Sequence, residues 1–345
     1  MIKSLTAKNF TVFVDAQFTF GALNVIHGEN GSGKSHLLKL IYACKSVMVP
    51  SAREESPESP TKAWLQPGLA RKLKGVFRPD TLGRLATRQP GRSRAEVVAS
   101  FGRHRRVGFS FDTASKAEVR VEELPRDWAS GTPIYLPTRE LLTIYPGFVS
   151  LYDTTELPFE EVWRDLCVLL GAPLSRGARK LHIDALLTPL ETAMGGSLIL
   201  DGEKFYFKSA AGKMEVHLVA EGLRKFAMIA RLIATGQLTE AGTLLWDEPE
   251  TNLNPRLIKE VARVICALAA GGVQVVIATH SLFLMREIEI LLSDEFADLD
   301  TQFIGLSRTE AGVHVQQGPS SDDSGDVVAL DENLEQSDRF LALEP

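Results

Sequence analysis

The chain has little cysteine, no long apolar run and no excess of positive charge, and each shortage removes a class of protein. Its three cysteines, Cys44, Cys167 and Cys266, are far apart and odd in number, so neither a disulfide framework nor a paired-cysteine metal site is indicated. No apolar stretch is long enough to cross a bilayer, and the opening MIKSLTAKNF has no apolar leader core. No membrane association and a reducing cytoplasm are therefore expected. Against 44 acidic residues stand 38 Lys and Arg, a net charge of −6, which excludes a uniformly basic nucleic-acid binder but not a local patch. What remains, at 44% apolar and 24% charged over 345 residues, is an ordinary globular composition with room for more than one lobe.

Alternation of apolar and polar residues predicts strands over Ile2–Phe10, Val12–Phe20 and Ala22–Ile26, then a glycine-rich loop and a helix over Ser35–Val49. Ser51–Pro60 is proline- and glutamate-rich and reads as a linker. Residues 71–106 carry eleven cations (Arg71, Lys72, Lys74, Arg78, Arg84, Arg88, Arg92, Arg94, Arg103, Arg105 and Arg106) against Asp80 and Glu96, a local excess of nine. Strands are expected inside this block at Val97–Phe101 and Val107–Phe111. Hairpins are expected over Ser197–Leu218, with turns at Asp201-Gly202 and Ala211-Gly212. From Ala220 the pattern alternates: helix to Thr235, strand Leu244–Asp247, helix Pro255–Ala270, strand Val273–Ala278, the mark of a parallel α/β sheet. The last 27 residues carry eight acids and one arginine, Arg339.

Gly28–Ser35 reads GENGSGKS, a complete G-x-x-x-x-G-K-[ST] phosphate loop between an expected strand and an expected helix. Its glycines allow backbone N–H groups to turn inward around a phosphate at the positive end of the helix. Lys34 is the candidate for the β- and γ-phosphates, and Ser35 for a magnesium ion. TLLWDEPE, Thr243–Glu250, ends an apolar strand in carboxylates, with Asp247 the candidate metal ligand and Glu248 the candidate general base. Thr279-His280 follows VQVVIA, and a histidine there could reach a γ-phosphate or the attacking water.

The order of Walker A at 28–35, LVAEGLRKF at 218–226, DEPETNLNP at 247–255 and ATHS at 278–281 resembles the heads of ABC-type ATPases. NFTVF before LNVIHGENGSGKS, together with DEPETNLNP, resembles the AAA-type OLD- and RecF-like branch. The resemblance implies an α/β head: a mixed, mainly parallel sheet core with the P-loop, an antiparallel β subdomain and a helical signature lobe. Its parts would be 1–50 (N-terminal strands and Walker A), 51–135 (an inserted basic α+β region), 136–235 (helical and signature lobe), 236–318 (Walker B and switch histidine) and 319–345 (acidic tail).

It further implies two heads enclosing two ATP molecules with Mg²⁺. Gly28, Glu29, Asn30, Gly31, Ser32, Gly33, Lys34, Ser35 and His36 would hold nucleotide, with Ser35 and Asp247 at the metal and Glu248, His280 and Lys34 in catalysis. Gly222 would face the partner's nucleotide, and Asn252, Leu253 and Asn254 would contact the partner's site. Two departures stand out. Ala220 occupies the signature-serine position, with Arg224 and Lys225 one turn on as possible substitutes, and no glutamine loop follows the first helix. Glu140 is the candidate replacement, unless it merely pairs with Arg139.

A transporter head fits poorly, since 188 residues separate Lys34 from Gly222 and no glutamine-rich signature occurs. A long coiled-coil head does not fit the chain length. A short RecF-like clamp, with the basic block on DNA, stays open beside a docking role for that block. Phe77, Phe101 and Phe109 are too few for a base-stacking platform. The resemblance, with no second catalytic cluster after His280, favours a slow ATPase acting as sensor or regulator of a separate effector, a nuclease or toxin in antiphage defence. The assembly would be a dimer or a ring of dimers.

Overall fold

A computed structural model describes residues 1–50, 56–87, 93–175, 180–238 and 242–343. Much of the linker, together with Arg88 and Arg92 of the basic block, lies outside the described residues. In chain order the elements are β1 (Ser4–Phe10), β2 (Phe13–Thr19), β3 (Leu23–Gly28), α1 (Lys34–Met48), α2 (Lys62–Phe77), β4 (Arg94–Ser100), β5 (Arg106–Asp112), β6 (Arg120–Glu123) and β7 (Pro133–Leu136). There follow α3 (Tyr145–Thr154), α4 (Glu161–Leu170), α5 (Lys180–Met194), β8 (Gly196–Asp201), β9 (Lys204–Ser209), β10 (Gly212–Glu215) and α6 (Glu221–Ala234). The chain continues through β11 (Thr243–Asp247), α7 (Pro255–Ala270), β12 (Gln274–Ala278), α8 (Leu282–Leu292), β13 (Thr301–Thr309), β14 (Gly312–Gly318) and α9 (Val328–Leu341).

The central sheet runs β14-β13-β3-β12-β11-β7, parallel except for β14, which is antiparallel on β13. Its inner strands read as nearly unbroken apolar runs because both faces are covered. Leu23, Val25, Leu244, Trp246, Val275 and Ile277 point to a core shared with α6, α7 and α8. Ile26, Leu245, Val276 and Ala278 point the other way, to a core shared with α1 and a second sheet. That second sheet is antiparallel, β2-β1-β4-β5-β6. A third, β10-β9-β8, flanks the helical region.

Residues 51–135 join both sheets: β4–β6 extend the sheet that β1 and β2 begin, and β7 is an edge of the central sheet. Periodicity identifies strands but not their non-local partners, so the join was invisible. The acidic tail contains a helix, α9, with no buried residue, carrying Leu334, Phe340 and Leu341 on its exposed surface. The hairpins form at their expected turns, where Gly202 and Gly212 take positive φ, but strand pairing stops at Glu215 and a 3-10 turn, Val216–Leu218, leads to α6.

Candidate active site

The loop between β3 and α1 is shaped by close approach on both sides. Gly28, Gly31 and Gly33 all have positive φ, at 140°, 79° and 100°. A Cβ on Gly28 would lie 2.2 Å from the Leu306 carbonyl of β13, and one on Gly33 would lie 2.6 Å from Val12 in the β1–β2 turn. Only glycine fits at either position. Gly33 caps α1 with no side-chain hydrogen bond, leaving the first-turn N–H groups to face a phosphate. The buried Ser32 hydroxyl likewise has no protein partner. Lys34 curls back over the loop, its Nζ donating to the carbonyls of Gly28 (2.7 Å) and Glu29 (3.0 Å). Burial pulls its pKa down, opposed by the carboxylates of Glu248, Asp247 and Glu250.

Parallel pairing of β12 with both β3 and β11 brings the ends of these strands together at the same edge. The Ser35 hydroxyl donates to Asp247 Oδ1 at 3.1 Å, and Tyr135 at the end of β7 donates to Asp247 Oδ2 at 3.1 Å. Burial raises the Asp247 pKa, and the Ser35 and Tyr135 hydrogen bonds resist the rise. Adjacent hydroxyl and carboxylate oxygens of this kind form a donor set suited to Mg²⁺. Glu248 follows with φ 49°, a left-handed backbone unusual for a non-glycine residue. Its carboxylate meets His280 Nδ1. Burial, then the neighbouring Glu250, pushes its pKa up to about 8.

The geometry also brings in Glu250 and Tyr135, for which the motifs gave no role, and sets Lys225 beside them. Glu250 is buried, and its Oε1 accepts from the Thr279 hydroxyl (2.6 Å) and the His280 backbone N–H (3.4 Å). Lys225 of α6 is only 1% exposed and points its Nζ at the Glu248 carbonyl, 3.5 Å away. Tyr135 had no motif to announce it; its one signal is a polar-tipped aromatic in the strand PIYLP.

Other candidates lie elsewhere. Gly222 is not in the cluster: it packs on the far end of the post-β11 loop, where a Cβ would stand 2.7 Å from the Asn252 carbonyl. The Asn254 side chain caps α7 by accepting from Leu257 N–H (3.1 Å). His36 turns its ring edge-on to Phe77, 5.8 Å between centroids. Glu140 is buried and paired with Arg224 at 3.0 Å, not with Arg139. It also accepts from Leu142 N–H and from Thr143. Arg224 is thus no free substitute for the missing signature hydroxyl, and Lys225 is buried beneath the loop.

Among the described residues, four of the eleven cations of the basic block are met by acids. Lys72 pairs with Glu161 and Asp165, Arg84 with Asp80, Arg94 with Glu96 and Glu122, and Arg106 with Glu123. Among the described residues no helix is long and apolar enough to cross a membrane.

Comparison with known proteins agrees with this geometry. Residues 23–286 match the family described as "AAA domain, putative AbiEii toxin, Type IV TA system". The histidine/lysine/arginine/ornithine transport ATP-binding protein HisP of Salmonella typhimurium is 38% identical over 79 residues, 23% of this chain and 29% of HisP. HisP of Escherichia coli matches to the same extent. The chain thus spans less than a third of the curated relatives it matches. An SMC head solved with the C-winged helix domain of ScpA superposes with a TM-score of 0.57 at 15% identity, covering 93% of this chain and 98% of that one. The SMC head of Pyrococcus furiosus with an extended coiled coil, bound to the C-terminal domain of ScpA, gives 0.50 at 13% identity over 98% and 99%. With a match over three quarters of its length, the chain belongs to this AAA-domain family.

Proposed function

We propose that the protein binds Mg·ATP at the β3–α1 loop, hydrolyses it slowly between two heads, and uses that cycle to regulate a separate effector. The observation that carries the chemistry is the convergence of Lys34, Ser35, Asp247, Glu248 and His280 at the ends of three adjacent parallel strands. In this reading the loop N–H groups and Lys34 bind the triphosphate, displacing the contacts Lys34 makes with the Gly28 and Glu29 carbonyls. Ser35 and Asp247 would hold Mg²⁺, which neutralises phosphate charge when bound. Glu248, in its ionised form, takes a proton from the attacking water, and His280 orients that water or the γ-phosphate.

The two-headed arrangement is supported by the resemblance to paired ATPase heads. Gly222, at the head of α6, is the part of the same chain that such an arrangement offers to the partner.

An effector of toxin or nuclease type in antiphage defence is supported by the family's association with a toxin–antitoxin system. The RecF-like alternative leaned on the basic block, and the ion pairs at Lys72, Arg84, Arg94 and Arg106 reduce the charge that block can offer to phosphates.

The deciding experiment is the solution mass of Glu248→Gln by light scattering, with and without ATP and Mg²⁺. Doubling only with ATP supports the sandwiched dimer. A large assembly without ATP makes the protein a standing scaffold, and no assembly in either condition overturns the two-headed reading. For the effector, the test is a stoichiometric partner co-purified from the native host and released on adding ATP.

A further inference from the structure

Glu250 joins three elements. It lies on the loop after β11, and its Oε1 accepts the Thr279 hydroxyl at 2.6 Å and the His280 N–H at 3.4 Å, both at the end of β12. The Thr279 oxygen in turn accepts the Ser281 N–H at 2.9 Å, so the turn carrying His280 is held from both sides. From α6, the Lys225 Nζ reaches the Glu248 carbonyl. Three residues earlier in the same helix, Gly222 packs against Asn252 and Leu253 of the loop that carries Glu250. A carboxyl group that is 93% buried is expensive unless it holds something in place. Its second oxygen, Oε2, has no hydrogen-bond partner. Glu250 is therefore kept for what Oε1 holds.

We infer that Glu250 is a positioning residue for hydrolysis. It fixes the backbone turn that aims His280. This rests on His280 facing the γ-phosphate. Glu250 touches neither nucleotide nor water in this scheme; it acts through His280. Loss of its two bonds frees the 279–281 turn, and a misplacement of about 1 Å at a reacting group costs roughly a hundredfold in rate.

The test is steady-state ATP hydrolysis by four variants: Glu250→Ala, Glu250→Gln, His280→Ala and the double variant Glu250→Ala/His280→Ala. Glu250→Ala should lower kcat by roughly a hundredfold, with KM and ATP affinity within about twofold of the parent. Glu250→Gln, whose carbonyl still accepts both bonds, should recover most of the loss. The double variant should be no slower than His280→Ala alone, because the two residues act on one geometry. Multiplying effects in the double variant, or a Glu250→Ala defect confined to KM, would overturn the inference while leaving His280 in its role. A wild-type rate for His280→Ala would remove both. Thermal melts separate these results from misfolding, since Glu250→Gln conserves volume and one oxygen.

Discussion

The phosphate loop and the basic segment at 71–106 are both conspicuous in the sequence, and the fold treats them in opposite ways. The loop holds one lysine whose partners are all nearby: Lys34 lies over carbonyls of its own loop and opposite Asp247, Glu248 and Glu250. The segment holds eleven cations by sequence, yet acids from other parts of the chain meet Lys72, Arg94 and Arg106. A spacing pattern survives folding because it encodes local backbone geometry. A charge count does not, because the neutralising partners are remote. Function attaches to convergence, not to abundance.

The sharpest way to break the contrast is at Lys34. Lys34→Ala should lower ATP affinity by a hundredfold or more, since each lost hydrogen bond to a charged group is worth about 1.5–3 kcal/mol. Titration calorimetry reads it directly, and an unaltered affinity would sink the phosphate-cradle assignment. Next comes Glu248. Glu248→Gln should leave ATP affinity intact and cut turnover by about 10²–10⁴. Because burial and Glu250 raise the Glu248 pKa to about 8, its basic form is the minor one at neutral pH. The rate constant kcat/KM should therefore climb from pH 7 to pH 9, about tenfold per unit below that value. A flat profile in the wild type, or the same rise in Glu248→Gln, would place the base elsewhere.

How much of this could be read before folding follows the same division. The strand–loop–helix around Gly28–Ser35 and the apolar strands ending at Asp247 and Ala278 were readable, because each is a contiguous pattern with one physical solution. The companions were not. Tyr135 reaches Asp247 from 112 positions away, and Lys225 reaches the Glu248 carbonyl from another helix. Glu140 pairs with Arg224 rather than with its chain neighbour. The sheet built by β1, β2 and β4–β6 is another case: its strands are visible one by one, while the pairing of Leu5 with Ala99 is set only by burial of a shared face. Glu250 lay inside a quoted motif without a role, because its role depends on where β12 ends.

A smaller effect is expected where the loop meets α6. At Gly222→Ala the new methyl would stand 2.7 Å from the Asn252 carbonyl and 2.9 Å from Leu253. Overpacking of this kind costs about 1–3 kcal/mol, seen as a lower melting temperature. If α6 and the post-β11 loop move as one, the same change also slows hydrolysis without weakening ATP binding to the isolated chain. A variant with wild-type stability and wild-type turnover would show that the contact at Gly222 yields freely, and that the two halves of the site are not linked there.

The smallest effect should come from the segment that looked most functional. Replacing Arg103, Arg105 and Arg106 together by glutamine removes three cations, one of which already spends its charge on Glu123. Exposed pairs of that sort contribute about 0–1 kcal/mol, so stability and ATP hydrolysis should stay close to the parent. Retention of duplex DNA should also change little at physiological salt, because a chain of net charge −6 repels the duplex overall. The salt dependence is the discriminating measurement. Each phosphate contact contributes about 0.9 to the slope of log affinity against log salt. A loss of two to three in that slope on neutralising these residues would mean that these arginines contact phosphates, Arg106 leaving Glu123 to do so. The segment would then be a DNA-contacting face, the contrast with the phosphate loop would fail, and the RecF-like reading would become the better one.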